Sequence, residues 1–472
     1  MKKTIGEILK LALPAVGEMI LYMMIWVFDT IMVGRHSGQL GVSAVGLSSE
    51  VIYTFFNILV AMGISISVTS IVSRSLGAKN IDKASEVSNI AIKIGIFLGV
   101  VLSAIYFIFA ENILKIAGAS DDVISLGKVY LKICSFGIIF NMLTNIFNGI
   151  YRGCKNTRTP LYGAAIMNIV NVSLDYILIF GKFGAPELGV KGAAIATVAG
   201  IICAFFFSFS QLKRLPFKIQ LNRKIVMKDF KELVYLAIPS ACQEGAFSIN
   251  RLINVSIIMG LGSLAFAANQ ITITIESISF MPGWGFAVAL TTLAGHSVGE
   301  RNFEKAKKYI YYTVTLSIIT MGFTAIIFFL FPNELISLFI KESEKEVITL
   351  GAMCLTLAAI EQVPMAIAMV IEGAMKGMGD TKTPFKVVLF TNWIIRLPLI
   401  YYFLYLQRYP VTTFWKVTAL QWSIEAIIIV FVFERKWKKY YRTKKLQLSS
   451  CSSSQYQELL FEKVKALFLF LD

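Results

Sequence analysis

Histidine, cysteine and charge are all scarce in this chain of 472 residues. It holds two histidines, His36 and His296, and six cysteines spread singly along the sequence. A His-based metal site and a disulfide framework both need closer and more numerous partners, so neither is expected to organise the fold. Charged residues make up 16% of the chain, against roughly 25% in an ordinary soluble protein. Acidic residues are the scarcer sign, 29 against 45 Lys and Arg, which leaves a net charge of +16. No Asp-rich diphosphate motif, paired histidine or nucleophile–base set is present, so no enzymatic activity and no cofactor are expected. A cleavable signal peptide is not expected either. The first apolar segment contains Glu18 and Asp29 and reads as a membrane span.

What fills the chain instead is apolar sequence. Hydrophobic residues reach 56% and the mean hydropathy is +0.69. The apolar runs are about 18–25 residues long, enough to cross a hydrocarbon layer about 30 Å thick, and there are about twelve of them. The second is read at 48–72 and the seventh at 231–259. Lipid offers no partner to an open strand edge, so the spans must be helices. The basic residues gather on alternate connections: Lys2 and Lys3, 74–83, 152–158, 213–231, 301–308, 376–382 and 435–445. Such loops mark the cytoplasmic side, which places both termini inside; the expected location is a prokaryotic cell (inner) membrane. Split among seven short segments, the positive charge does not read as a nucleic-acid surface.

The chain also repeats itself. Leu11-Ala12-Leu13-Pro14 returns as Leu236-Ala237-Ile238-Pro239, and Ser75-Leu76-Gly77-Ala78-Lys79-Asn80 as Ser297-Val298-Gly299-Glu300-Arg301-Asn302. Arg152-Gly153-Cys154-Lys155-Asn156-Thr157-Arg158-Thr159-Pro160 returns as Lys376-Gly377-Met378-Gly379-Asp380-Thr381-Lys382-Thr383-Pro384. The matches keep their order and nearly one offset. Six spans bring the chain back to the side it left, so the halves are parallel and related by a pseudo-twofold axis along the membrane normal, as in transporters that move one half against the other. The expected architecture is therefore an all-α polytopic membrane protein with twelve transmembrane helices in two six-helix bundles. The first lobe is 1–212, the basic linker 213–230, the second lobe 231–445, and a tail of unassigned role 446–472. In that tail, Leu460, Val464, Leu467 and Leu471 fall at helical spacing, compatible with an interfacial helix.

Polar side chains inside the spans mark the candidate sites, because charge at bilayer depth is costly and usually faces a cavity or a partner. Asp29 lies in span one and Asp175 in span five, where Asn168, Asn171 and Asp175 share one helix face. Asn141, Asn145 and Asn148 share a face of span four, and Thr197 lies in span six. Oxygen ligands of this kind suit Na⁺, and a close pair of buried carboxyls suits a proton. Asparagines also serve as plain interhelical hydrogen-bonding groups. The repeat sets Asn254 opposite Asp29 and Leu399 opposite Asp175, so the second lobe lacks this chemistry. It has its own polar groups in Gln243, Glu244, Arg251, Gln270, Glu276, Glu361 and Arg396. Glu244 and Arg251, two helical turns apart, are candidates to pair. Glu372, near a span end, is read as solvated. Pro14, Pro239, Pro282 and Pro364 each remove a helix hydrogen bond and favour a kink. A bend at Pro14 is positioned to respond to the charge state of Asp29 on the same helix.

Together, Leu13-Pro14, Asp29-Thr30-Ile31-Met32-Val33-Gly34, Ser75-Leu76-Gly77, Gly192-Ala193-Ala194-Ile195-Ala196-Thr197 and the two Gly…Thr-Pro motifs resemble those of the multidrug and toxic compound extrusion (MATE) family, over about residues 5–440. The resemblance implies cation-coupled antiport by alternating access, with Na⁺ or H⁺ as the coupling ion and amphipathic, often cationic, organic compounds as the exported substrates. It implies an ion site at Asp29, Asn171, Asp175 and Thr197 and a gating role for Pro14, as in the DinF-like branch. Acidic residues of the second lobe take part in the NorM-like branch, which makes Gln243, Glu244, Arg251, Gln270 and Glu276, with Asn145 of the first lobe, candidates for substrate contact. The expected partners are a small amphipathic molecule and membrane lipid, the expected state a monomer. Two other functions fit a polytopic chain. A flippase for lipid-linked oligosaccharides would need a cationic cavity for a pyrophosphate, and a membrane-bound transferase would need the motifs found missing above.

Overall fold

The computed structural model describes residues 2–52, 63–340 and 344–448. Every regular element among them is helical. They are α1 (Lys2–Ile52), α2 (Gly63–Gly77), α3 (Ile81–Ile116), α4 (Asp121–Gly153), α5 (Arg158–Phe180), α6 (Val190–Gln211), α7 (Met227–Met259), α8 (Ser263–Gly299), α9 (Phe303–Leu330), α10 (Pro332–Ser337), α11 (Lys345–Met378), α12 (Lys382–Leu389), α13 (Leu397–Ile400) and α14 (Thr412–Leu448). The π-helical stretches Phe390–Arg396 and Tyr401–Leu406 flank α13 and join α12 to it in one span. Ten of the described helical stretches are long and apolar enough to cross a membrane. The 33-residue α7 matches the expected seventh span, but its charged residues dilute its hydropathy.

The second expected span comes out differently. α1 runs on past the end of span one and breaks at Gly38, whose φ of 59° suits glycine. A short apolar helix, Leu40–Ile52, then precedes α2. The expected 48–72 span is therefore shared between these two pieces, and 53–62 lies outside the described residues, as does the tail helix read at 456–471. The six-residue α10, which starts on Pro332, had no counterpart in the sequence reading.

Repeated sequence makes repeated local structure. Asn80 caps α3 by accepting from the Lys83 amide at 3.0 Å, and Asn302 caps α9 by accepting from the Lys305 amide at 2.9 Å. One residue earlier, Lys79 and Arg301 take the same left-handed conformation, with φ of 60° and 59°. The third motif behaves alike. Asn156 Oδ1 accepts from the Thr159 amide at 3.1 Å, and Asp380 Oδ1 from the Thr383 amide at 3.0 Å. These caps hold free amides at the starts of matching helices.

Residues 1–429 form one compact unit, and a second begins at Val430. In the first half of the chain, α3, α4, α5 and α6 pack on one another and α1 lies along α5. Ile71, Leu131, Met142, Ile146 and Ile150 form a buried core there. In the second half, α11 packs against both α8 and α9, and Ile258, Cys354, Ile400, Leu404 and Trp415 form another core. α1 and α2 meet α8, and α2 also meets α7. The contact between α2 and α8 is close because small residues face each other. A Cβ on Gly77 would stand 2.2 Å from the His296 carbonyl oxygen, and one on Gly299 would stand 2.2 Å from that of Arg74.

Candidate functional site

Four of the predicted residues converge. Asp29 comes from α1, Asn171 and Asp175 from α5, and Thr197 from α6. Asp29, Asn171 and Asp175 are buried, Asp175 completely, and Thr197 is half-buried. The Asp29 carboxyl interacts with Asp175, Asn171 and Thr197. Asn171 Nδ2 approaches Thr197 Oγ1 at 3.4 Å, while the threonine hydroxyl donates back to the Ala193 carbonyl at 2.9 Å. Oxygens dominate the cluster. Asp29 Oδ1, Asn171 Oδ1 and both carboxyl oxygens of Asp175 are buried without a donor among the described residues. Such a set is stable only when a cation or a proton supplies the missing positive charge.

The other amides of the first half have different tasks. Asn168 is turned to the backbone, donating to the Leu21 and Ala164 carbonyls at 3.0 Å each, and so ties α5 to α1. Among the described residues, the asparagines of span four form no hydrogen bonds to the Asp29 cluster; Tyr130 of that span reaches it instead, through its hydroxyl to Thr197. Asn145 donates to Asn141, to both its backbone and side-chain oxygens. Asn148 donates to Glu18 Oε1 at 3.4 Å. Facing one direction on a helix is thus not the same as facing one centre, since α4 passes several neighbours along its length.

Glu18 is the buried acid whose role the sequence reading left unassigned. It is completely buried on α1, one helical turn after Pro14, and Arg152 Nη2 binds its Oε1 at 2.6 Å. An acid four residues beyond a proline and a basic residue at the end of another span were both visible in the sequence. Their meeting was not.

The second half holds a mixed site. A cavity of about 130 Å³ is lined by Asn250, Asn254, Asn269, Glu276, Glu361 and Arg396, with Phe247, Phe280, Trp415 and Trp422 among its aromatic walls. Arg396 faces Glu361 and Glu276. Several polar atoms here have no partner among the described residues: Arg396 Nε, Glu361 Oε2, Asn254 Oδ1, both ends of the Asn269 amide and the Trp415 indole nitrogen. Donors and acceptors are both on offer, unlike in the acceptor-rich first-half cluster.

Three expectations for this half change. Arg251 does not pair with Glu244. It pairs with Glu50 on the first half of the chain, because seven residues along a helix separate two side chains by about 10 Å and Glu50 stands nearer. Glu244 acts instead on Lys376 and Glu372. Glu372 is not solvated. It is buried and accepts from Gln243 Nε2 at 2.7 Å. Gln270 is exposed on α8 and does not line the cavity. Glu276 does.

Comparison with known proteins follows the repeat. The MatE family model matches twice, at residues 14–177 and 239–402, so each match starts on a repeated proline, Pro14 or Pro239. The chain is 33% identical over 397 residues to the probable multidrug resistance protein NorM of Thermotoga maritima, covering 83% of this chain and 84% of that protein. It is 26% identical over 415 residues to the probable multidrug resistance protein YoeA of Bacillus subtilis, covering 86% and 89%. Among solved structures, a MATE in complex with MaD3S aligns with a TM-score of 0.86 at 20% identity, over 92% of this chain and 96% of that one. An outward-facing multidrug resistance MATE transporter aligns with a TM-score of 0.85 at 21% identity, over 92% and 96%. These likenesses establish the twelve-helix, two-bundle fold of an integral membrane protein. With a doubled family model, a relative 33% identical over most of both chains and a shared fold, the chain belongs to the MatE family of membrane transporters.

Proposed function

We propose that the protein exports amphipathic, often cationic, organic compounds in exchange for Na⁺ or H⁺, with Asp29 and Asp175 as the centre that senses the incoming cation. The observation that carries this reading is the buried set of oxygens on Asp29, Asn171, Asp175 and Thr197, which has more acceptors than donors. The relatives named as multidrug resistance proteins support the export of drug-like molecules. The basic loops support an orientation with both termini in the cytoplasm, in a cell membrane.

A cation arriving from outside neutralises the acid pair, and α1 then repacks against α5 and α6. Pro14 leaves α1 one backbone hydrogen bond short, which lowers the cost of bending there. Coupling follows if the substrate binds the two arrangements unequally. One charge moving inward contributes about 2.3 kcal/mol per 100 mV, enough for about a fortyfold gradient of a neutral substrate. The second-half cavity, with aromatic walls and the acids Glu276 and Glu361, is the proposed substrate contact. The same two acids disfavour a pyrophosphate and hence the flippase reading.

The test is dye efflux from proteoliposomes under an imposed Na⁺ gradient or an imposed pH gradient. One of the two should drive efflux in the wild type. Asp29→Asn should abolish it while the protein stays folded and inserted. Wild-type efflux from Asp29→Asn would remove Asp29 from the mechanism.

A further inference from the structure

The repeat registers three more pairs: Glu18 with Gln243, Asn148 with Glu372, and Arg152 with Lys376. In the first half, Arg152 and Asn148 both donate to Glu18, at 2.6 and 3.4 Å. In the second half, Gln243 and Lys376 both donate to Glu372 Oε2, at 2.7 and 3.5 Å. Each half therefore carries an acid, an amide and a cation at the same three places. The acid and the amide have exchanged helices.

The second half then departs from the first. Glu425 on α14, 1% exposed, brings a second carboxyl against Glu372. Thr391 Oγ1 and Gln421 Nε2 both donate to Glu425 Oε2, the latter at 2.7 Å. Cations are outnumbered around this pair. Lys376 serves Glu372 and also faces Glu244. Arg396 is shared among Glu425, Glu361 and Glu276. Two buried carboxylates in contact repel, and a hydrogen held between them turns the repulsion into a hydrogen bond. The neighbouring amides are built for either state. Gln243 and Gln421 are more than nine-tenths buried, and each has an Oε1 without a donor among the described residues. Turned by half a rotation, either amide accepts from a carboxylic acid instead of donating to a carboxylate.

We propose that Glu372 and Glu425, with Gln243, Lys376, Thr391 and Gln421, form a second proton-binding site in the second half of the chain, separate from the Asp29 cluster. Its place gives it consequence. Ser70 Oγ on α2 donates to the Lys376 carbonyl at 2.7 Å and to the Gly377 carbonyl at 3.2 Å. The site therefore adjoins the contact between the two halves on the side of the basic loops. A proton lost or gained there alters the charge beside that contact.

The test uses the full-length transporter in detergent, with Asp29→Asn and Asp175→Asn introduced together to silence the first site. Proton uptake is followed with a pH-indicator dye as the pH falls from about 9 to about 5, a range wider than the ordinary carboxylate one. The infrared carbonyl band of a protonated carboxylic acid is recorded in parallel. Relative to this background, adding Glu425→Gln, or separately Glu372→Gln, should lower the uptake by about one proton per transporter and weaken the band. An unchanged uptake in both variants, or no uptake in the background, would overturn the proposal. Gln421→Leu, which removes a donor and leaves both carboxyls, should move this proton's uptake to higher pH without abolishing it. This readout does not depend on drug export, so failure of the Asp29 mechanism would show separately, in the efflux experiment.

Discussion

At the scale of single residues, the protein handles buried charge in two ways. The Glu18–Arg152 pair brings its own counter-charge, with a completely buried acid and a guanidinium at 2.6 Å. The Asp29–Asp175 pair has no such partner among the described residues. The consequences of mutation differ accordingly. Arg152→Ala strands Glu18 inside the protein and should cost about 3–5 kcal/mol, the usual effect of removing one member of a buried ion pair. The loss would appear as a lower midpoint of thermal unfolding in detergent. Glu18→Gln added to Arg152→Ala should recover much of it, since the amide needs no counter-charge. Asp29→Asn should behave oppositely: no loss of stability, because one of two repelling acids is gone, and loss of coupled efflux. The acids could be picked out from the sequence by asking which charges fall inside spans. Which of them had a partner could not, because Arg152 lies far from Glu18 in the chain and at a helix end that the sequence presents as a loop.

At the scale of helices, the contact between α2 and α8 rests on the absence of side chains. Gly77 and Gly299 each face a backbone carbonyl oxygen that a Cβ would meet at 2.2 Å. Thr292 Oγ1 and His296 Nε2 on α8 reach the carbonyls of Arg152 and Gly153 at 3.0 and 2.8 Å. Backbone cannot yield as a flexible side chain would, so Gly77→Ala should destabilise this closed contact by about 1–3 kcal/mol. That is enough to shift an open–closed equilibrium by about five- to 150-fold. The expected result is a folded, inserted protein with slowed efflux and faster labelling of a cysteine placed at Ser73. Unchanged labelling would show that the contact is not a moving seal. The glycines stood in the repeated motifs and so drew notice early. Their packing role needed the neighbouring helix to be in place.

At the scale of the whole molecule, the two halves touch at both ends of the membrane-spanning region. On the side of the basic loops they meet through Ser70, Gly77, Thr292 and His296. Toward the other side, Glu50 of the first half pairs with Arg251 of the second. The proposed alternating access requires at least one of these contacts to part. Replacing Glu50 and Arg251 with cysteines and bridging them with a short, reducible bifunctional thiol reagent should stop efflux, with recovery on reduction. Efflux that continues with the cross-link formed would mean that this end of α7 and the Leu40–Ile52 helix move as one body. Arg251 also lines the second-half cavity, so the same bond stands at the edge of the proposed substrate contact.

The sequence by itself determined the helical class, the membrane setting, the doubling and the shared face of Asn168, Asn171 and Asp175, while the cluster with Asp29 and Thr197 was what the family resemblance implied. Each of the first four follows from short-range rules: apolar run length, loop charge, matching motifs, and helical spacing along α5. Only the tertiary structure decided the partners of polar groups on different helices. It took Asn145 and Asn148 away from the first cluster, turned Arg251 to Glu50, and set Glu372 against Glu425. The physical reason is that lipid enforces secondary structure almost independently of context, whereas a buried polar side chain is committed to whichever neighbour lies within about 3 Å. That neighbour is chosen by how the helices pack.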